Sequence, residues 1–163
     1  MSRLYSTIIP GPPVAQGRAR LSRSGHHIMH APSREWRARA VAHIRSELGH
    51  RWTPLCELLA VDIIVSLPRP LKRPALIERD AWRAGGAVAA AGRGDVDNYA
   101  KAALDALVDA EAMTDDHLVS RLTVCKVYHG VSGVPFLAIE VRRESAWPTE
   151  AGIALVDGMG RAS

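Results

Sequence analysis

Gly94 to Lys126 reads GDVDNYAKAALDALVDAEAMTDDHLVSRLTVCK, and the fold is decided in this stretch. Asp95 to Val108 carries a cap-type residue at its start and four alanines at Ala100, Ala102, Ala103 and Ala106, which predicts a helix. A turn follows over Asp109 to Thr114, and the alternation from Val119 onward predicts a strand reaching Val131. Pro135 to Arg143 reads as a second strand, joined to the first at Ser132-Gly133 as a hairpin. Upstream, Glu57 to Leu67 (ELLAVDIIVSL) is a run of Leu, Ile and Val between prolines, the pattern of a strand central in its sheet. Pro32-Ser33 opens a helix through Leu48, with Trp36, Ala40, His43, Ile44 and Glu47 on one face. Leu4 to Pro10 is a short opening strand, and Val14 to Ala31 has no apolar period and reads as a loop.

The order β, α, β, loop, α, β, β predicts an α+β fold: a small mixed sheet with helices packed on one face. One domain fills residues 1–144 and 145–163 form a tail without periodicity. Pro68 to Gly94, with three prolines and six basic residues, reads as a long basic insertion holding a weak helix around Ala75 to Arg83. Its chemistry suits DNA contact or the clasping of a dimer. Trp36, Trp52 and Phe136 are assigned to the core.

On the helix, Asp97, Lys101 and Asp105 fall within about 80° of one another, beside the stripe of Ala100, Leu104, Leu107 and Val108. The charged row therefore borders the buried face, where acids tend to line a cleft. Asp95 and Asp97 straddle the helix start, and Asp115 and Asp116 stand in a later turn able to approach from another side. Hard cations such as Mg²⁺ bind a few carboxylates, waters and substrate phosphates. A bound cation activates water and polarises phosphate oxygens, and a lysine one turn along neutralises growing charge. Each acid also has a plainer reading. Asp95 or Asp97 can cap the helix, Asp97–Lys101 and Lys101–Asp105 can be surface i,i+4 pairs, and Asp115-Asp116 can be only a turn.

Composition narrows the field. The chain has 163 residues and a formal charge of +4, unevenly spread. Met1 to Trp52 carries a net +7, whereas Asp95 to Ser163 carries −5. A basic front suits a polyanion. Arg18, Arg20, Arg23, Arg34, Arg37 and Arg39, with Lys126, are the candidate phosphate contacts; an ordinary arginine-rich surface is the alternative. Among 21 basic residues only Lys72, Lys101 and Lys126 are lysines, and two lie in the acidic segment. His26, His27 and His30 have no cysteine or acid beside them and read as solvated. No apolar run spans a membrane, and no secretory signal stands at the front. Cys56 and Cys125 are lone cysteines, pointing to a reducing cytoplasm. Phosphate-loop, dinucleotide, zinc-protease and serine-hydrolase signatures are missing, so no nucleotide cofactor is expected.

The run Asp95-x-Asp97-Asn98-x-x-Lys101-x-x-x-Asp105-x-Leu107, then Asp115-Asp116 and Lys126, closely resembles the RusA-like Holliday-junction resolvases. The strand ending at Pro10, the Gly-Pro-Pro-Val turn and Gly17-Arg18-Ala19-Arg20 look like the same family's opening. The resemblance implies a homodimeric, Mg²⁺-dependent endonuclease of bacteria or their phages, with Mn²⁺ as a substitute ion, that makes paired nicks in four-way DNA. It places Asp95, Asp97 and Asp116 at the metal, with Asp115 as a neighbouring alternative, and Lys101 as the active-site lysine. The insertion of 68–94, the tail, and Gly94 standing where arginine often precedes the first aspartate depart from the family pattern. A metal nuclease on another branched DNA and a non-catalytic junction binder with the same fold are the alternatives.

Overall fold

Among the described residues the elements follow in chain order: strands β1 (Arg3–Pro10), β2 (Arg20–Leu21) and β3 (His27–Ile28), helix α1 (Ala31–Leu48), strand β4 (Leu59–Leu67), helix α2 (Arg79–Arg83), strand β5 (Val88–Ala89), helix α3 (Val96–Asp109), a 3-10 turn (Asp116–Leu118), and strands β6 (Val119–Tyr128) and β7 (Phe136–Arg143). This computed structural model describes residues 2–17, 30–92 and 94–144, and the backbone of 20–21 and 27–28. The expected tail, 145–163, lies outside the described residues, as do Arg18, Arg23 and the side chain of Arg20.

Five strands form one sheet in the order β1-β7-β4-β6-β5. β4 pairs parallel with β6 and antiparallel with β7, and β1 pairs antiparallel with β7. The near-unbroken apolar run of β4 suits its central place: it is paired along both edges, one face is buried throughout, and the other opens only at Asp62 and Ile64. Leu59, Val61, Ile63 and Val65 of β4 are each no more than 1% exposed and point to the same side as Leu137, Ile139 and Val141 of β7. Trp36, Ala40 and Ile44 of α1 and Ala103, Ala106 and Leu107 of α3 close over that side. The two helices also pack on each other, so the expected one-sided α+β arrangement stands. Ile8 and Ile64 lie on the opposite, uncovered face, 61% and 45% exposed.

Two expectations are corrected here. β6 and β7 are not a hairpin, since β4 lies between them. Their directions are opposed, as a hairpin requires, but the seven-residue connection bridges two strand spacings, roughly 10 Å. The turn signal is real: Gly133 N–H donates to the Gly130 carbonyl at 2.9 Å. What alternation could not reveal is which strand fills the gap. Phe136 is the second correction. It is only half-buried and stands outside the core, pairing in register with Ser66 on the uncovered side of the sheet.

The insertion of 68–94 is a folded flap on the sheet edge rather than a free loop. Its α2 falls within the expected weak helix, and β5 pairs antiparallel with β6. The Arg69 guanidinium stacks 3.7 Å from the Trp82 ring centroid, a cation–π contact, and donates to the Trp82 and Gly86 carbonyls. Trp82 in turn meets Tyr128 edge-on at 6.2 Å. No helix among the described residues is long and apolar enough to cross a membrane.

Candidate active site at the start of helix α3

α3 begins where Gly94 turns the chain. Gly94 has φ +90, and a Cβ there would come within 2.8 Å of the Tyr99 ring, so this turn requires glycine. Asp95 follows in extended geometry as the N-cap residue, yet its side chain makes no capping hydrogen bond. The capping reading of Asp95 therefore fails on geometry. Asp97 lies in the first helical turn. Both aspartates are exposed, and among the described residues neither enters an ion pair or side-chain hydrogen bond. The partial positive charge of the helix start favours two carboxylates there.

Lys101 stands one turn further on, its ammonium 3.5 Å from Asp105. The expected i,i+4 pair is thus formed with Asp105, and none is formed with Asp97. Asp105 is shared, because Arg37 from α1 reaches it at 3.2 Å and reaches Asp109 at 2.6 Å. The hydrogen bond to Asp109 and both carboxylate charges raise the Arg37 pKa still further above its ordinary value. Arg37, a candidate phosphate contact by sequence, is instead committed to locking α1 onto α3. Arg34 and Arg39 remain exposed on α1. Arg45 donates to the Asp109 carbonyl at 2.7 Å, supplying the cation that the last turn of α3 itself lacks.

Asp115 and Asp116 sit beyond the other end of the helix, where Leu55 and Thr114 tie the turn to the approach of β4. Asp115 caps the 3-10 turn. It accepts from the His117 N–H at 3.0 Å and pairs with the His117 ring at 2.8 Å, contacts that hold its carboxyl below the usual range. The turn reading of Asp115 is therefore correct as far as it goes. Asp116 is exposed beside it.

The expected metal ligands do not form a closed cage within one chain. Among the described residues, no three His, Cys, Asp or Glu side chains come together closely enough to hold a metal ion. What the chain offers is an exposed, unspent pair, Asp95 and Asp97. Such a pair fits Mg²⁺, which commonly keeps several waters and takes only one or two carboxylates besides substrate phosphate.

Two features of the site escaped the sequence reading. Lys126, expected at phosphate, points its ammonium at the Gly94 and Gly92 carbonyls, 2.7 and 3.2 Å away. The Gln16 N–H donates to the Asn98 carbonyl at 3.0 Å, and Gly17 and Ala15 both bond Ser33 at the start of α1. Residues 15–17 are thereby fastened between the start of α1 and the start of α3. The Gly-x-Gly directly before Asp95 was the available signal for the first; nothing in the sequence marked the second.

The family model of endodeoxyribonuclease RusA matches residues 10–142. No curated protein matches the chain. The matched span takes in strands β4 to β6, nearly all of β7, both long helices and all the acids of α3 and the following turn, and begins at the last residue of β1. The free carboxylate pair and the lysine one turn along lie within that span. The chain belongs to the RusA endodeoxyribonuclease family and is a nuclease of the Holliday-junction-resolving kind.

Proposed function

We propose that this nuclease resolves four-way and related branched DNA by Mg²⁺-dependent hydrolysis of paired phosphodiesters, in the recombination and repair of a bacterium or its phage. The observation that carries the reading is the division of carboxylates along α3: Asp105 and Asp109 are paired, whereas Asp95 and Asp97 are left open at the start. Exposed carboxylates with no cation partner are free to take a hard cation together with its waters.

Asp95 and Asp97 hold the cation from the protein side. Asp116, with Asp115 beside it, matches the family pattern for a third ligand but stands beyond the other end of α3, about 20 Å along the helix, so within one chain it does not reach that cation. When bound, Mg²⁺ polarises the phosphate and supplies an activated water. Lys101 neutralises charge growing on the phosphate, with Asp105 orienting its ammonium. The exposed arginines Arg34 and Arg39, with Arg18, Arg20 and Arg23, grip the DNA backbone without regard to sequence. A four-way junction has two-fold symmetry, so two sites related by a C₂ axis, in a homodimer, cut it symmetrically.

Cleavage of a synthetic four-way junction in Mg²⁺ and in EDTA tests this. The expected result is paired nicks in Mg²⁺ or Mn²⁺, none in EDTA, and none from Asp97→Asn. Cutting that survives both EDTA and Asp97→Asn defeats the metal reading. Tight junction binding with no cutting in either metal makes the protein a non-catalytic junction binder. Preference for flaps over four-way junctions identifies another branched substrate. Sedimentation of the protein as a monomer, free and on DNA, defeats the two-fold arrangement.

A further inference from the structure

We infer that Lys126 is a positioning residue for the carboxylate pair: its ammonium clamps the Gly92 and Gly94 carbonyls and so sets where Asp95 stands. The inference rests on the reading of Asp95 as a metal-holding group. The Gly94 carbonyl belongs to the peptide unit whose nitrogen is that of Asp95. Because a peptide unit is planar, fixing that oxygen fixes the pivot from which the Asp95 side chain departs. The contact is charge-assisted and, at 2.7 Å, short. A second carbonyl, that of Gly92, is held by the same ammonium at 3.2 Å.

The surroundings leave the clamped segment little room. A Cβ at Gly92 would stand 2.4 Å from the Tyr128 hydroxyl, and one at Gly94 would stand 2.8 Å from Tyr99. Tyr99 and Tyr128 are each 6% exposed, so the segment rests on a buried aromatic floor. Lys126 itself is fixed by β6: its backbone pairs with β4 opposite Val65, and its carbonyl accepts from the Ala90 N–H at 2.9 Å. The ammonium thus carries the rigidity of the central sheet to the first residue of the site. Two further facts speak against a phosphate contact. Among the described residues both hydrogen bonds of the ammonium go to main-chain oxygens, and the side chain is only partly exposed.

The test compares Lys126→Met and Lys126→Arg with the unaltered protein in four measurements. These are junction cleavage across a Mg²⁺ titration, junction affinity with Ca²⁺ in place of Mg²⁺, the salt dependence of that affinity, and amide hydrogen exchange over residues 92–98. Lys126→Met is expected to cut about 10–100-fold more slowly, the usual scale for losing an outer support of a metal ligand. Its half-saturating Mg²⁺ concentration rises, its exchange over 92–98 quickens, and its affinity and salt slope are unchanged. Lys126→Arg, which keeps the charge and two donors, recovers most of the rate. Lys126→Gln gives the same comparison should the methionine variant not fold.

Unchanged exchange and an unchanged Mg²⁺ requirement in the methionine variant overturn the inference. So does a loss of affinity with the salt slope falling by about one, which assigns Lys126 to phosphate instead. If the unaltered protein does not cut, the proposed function fails on its own account, and hydrogen exchange still decides whether the clamp exists.

Discussion

The two ends of α3 carry similar chemistry to different purposes. At its C-terminal end Asp105 and Asp109 are neutralised by Arg37, and Arg45 satisfies a terminal carbonyl. Charge there joins two helices. At its N-terminal end Asp95 and Asp97 have no cation among the described residues, although the chain is tied next to them where the Gln16 N–H meets the Asn98 carbonyl. That contrast is what the proposed function rests on: it takes the start of α3 as the working end.

The comparison predicts opposite outcomes for one chemical change made at each end. Asp97→Asn removes an unpaired charge, so it costs no more than the helix-dipole contribution of about 0.3–1 kcal/mol, while junction cleavage falls by roughly 10²–10³-fold or more, the scale of losing one preorganised electrostatic contact at a reacting centre. A stability loss with cleavage retained would erase the distinction between the ends. At the junction between them, Gly94→Ala places a Cβ against Tyr99 at a φ of +90, and both costs act together. We expect a loss of about 1–3 kcal/mol in denaturant unfolding, with slower cleavage. Full activity at reduced stability would show that the turn serves folding alone.

The sequence exposed this contrast only in part. Helix α3 was legible because its alanines, its apolar stripe and the cap-type Asp95 all agree, and β4 because an unbroken Leu, Ile and Val run has few other uses. The free or paired state of each acid was not legible. It depends on Arg37, which is 68 positions from Asp105 in the chain and reaches it only because α1 packs on α3. The same limit explains β6 and β7. Their turn and alternation are local, while the insertion of β4 between them is a property of the whole sheet. Lys126 misled for a related reason: its charge is visible in the sequence, but the two carbonyls that absorb it are not.

A smaller effect separates the ends further. Asp105→Asn withdraws the partner of Arg37 and Lys101, whose side chains are 25% and 58% exposed. About 1–2 kcal/mol of stability should be lost, near the lower range for hydrogen bonds to charged groups and reduced by solvent screening. Cleavage should fall far less than in Asp97→Asn, through the looser aim of Lys101 alone. A double-mutant cycle of Asp105→Asn with Arg37→Gln measures the coupling, and additive losses would mean that the pair in the structure contributes nothing.

The weakest expected effect lies beneath the working end and appears only in alkali. Burial, with the nearby Tyr128, raises the Tyr99 pKa above its ordinary 10.0. Below that value the phenol is protonated in both folded and unfolded chains, so its contribution does not change with pH. Above it the unfolded chain releases the proton first, and stability falls as pH rises toward the folded value. Tyr99→Phe should remove part of the slope of unfolding free energy above about pH 10. Tyr5, also raised by burial but on β1, continues to supply a slope in that variant. An unchanged slope in Tyr99→Phe would mean that Tyr99 is no more buried than an ordinary surface tyrosine. The floor under Gly92 and Gly94 would then be too soft for Lys126 to press against.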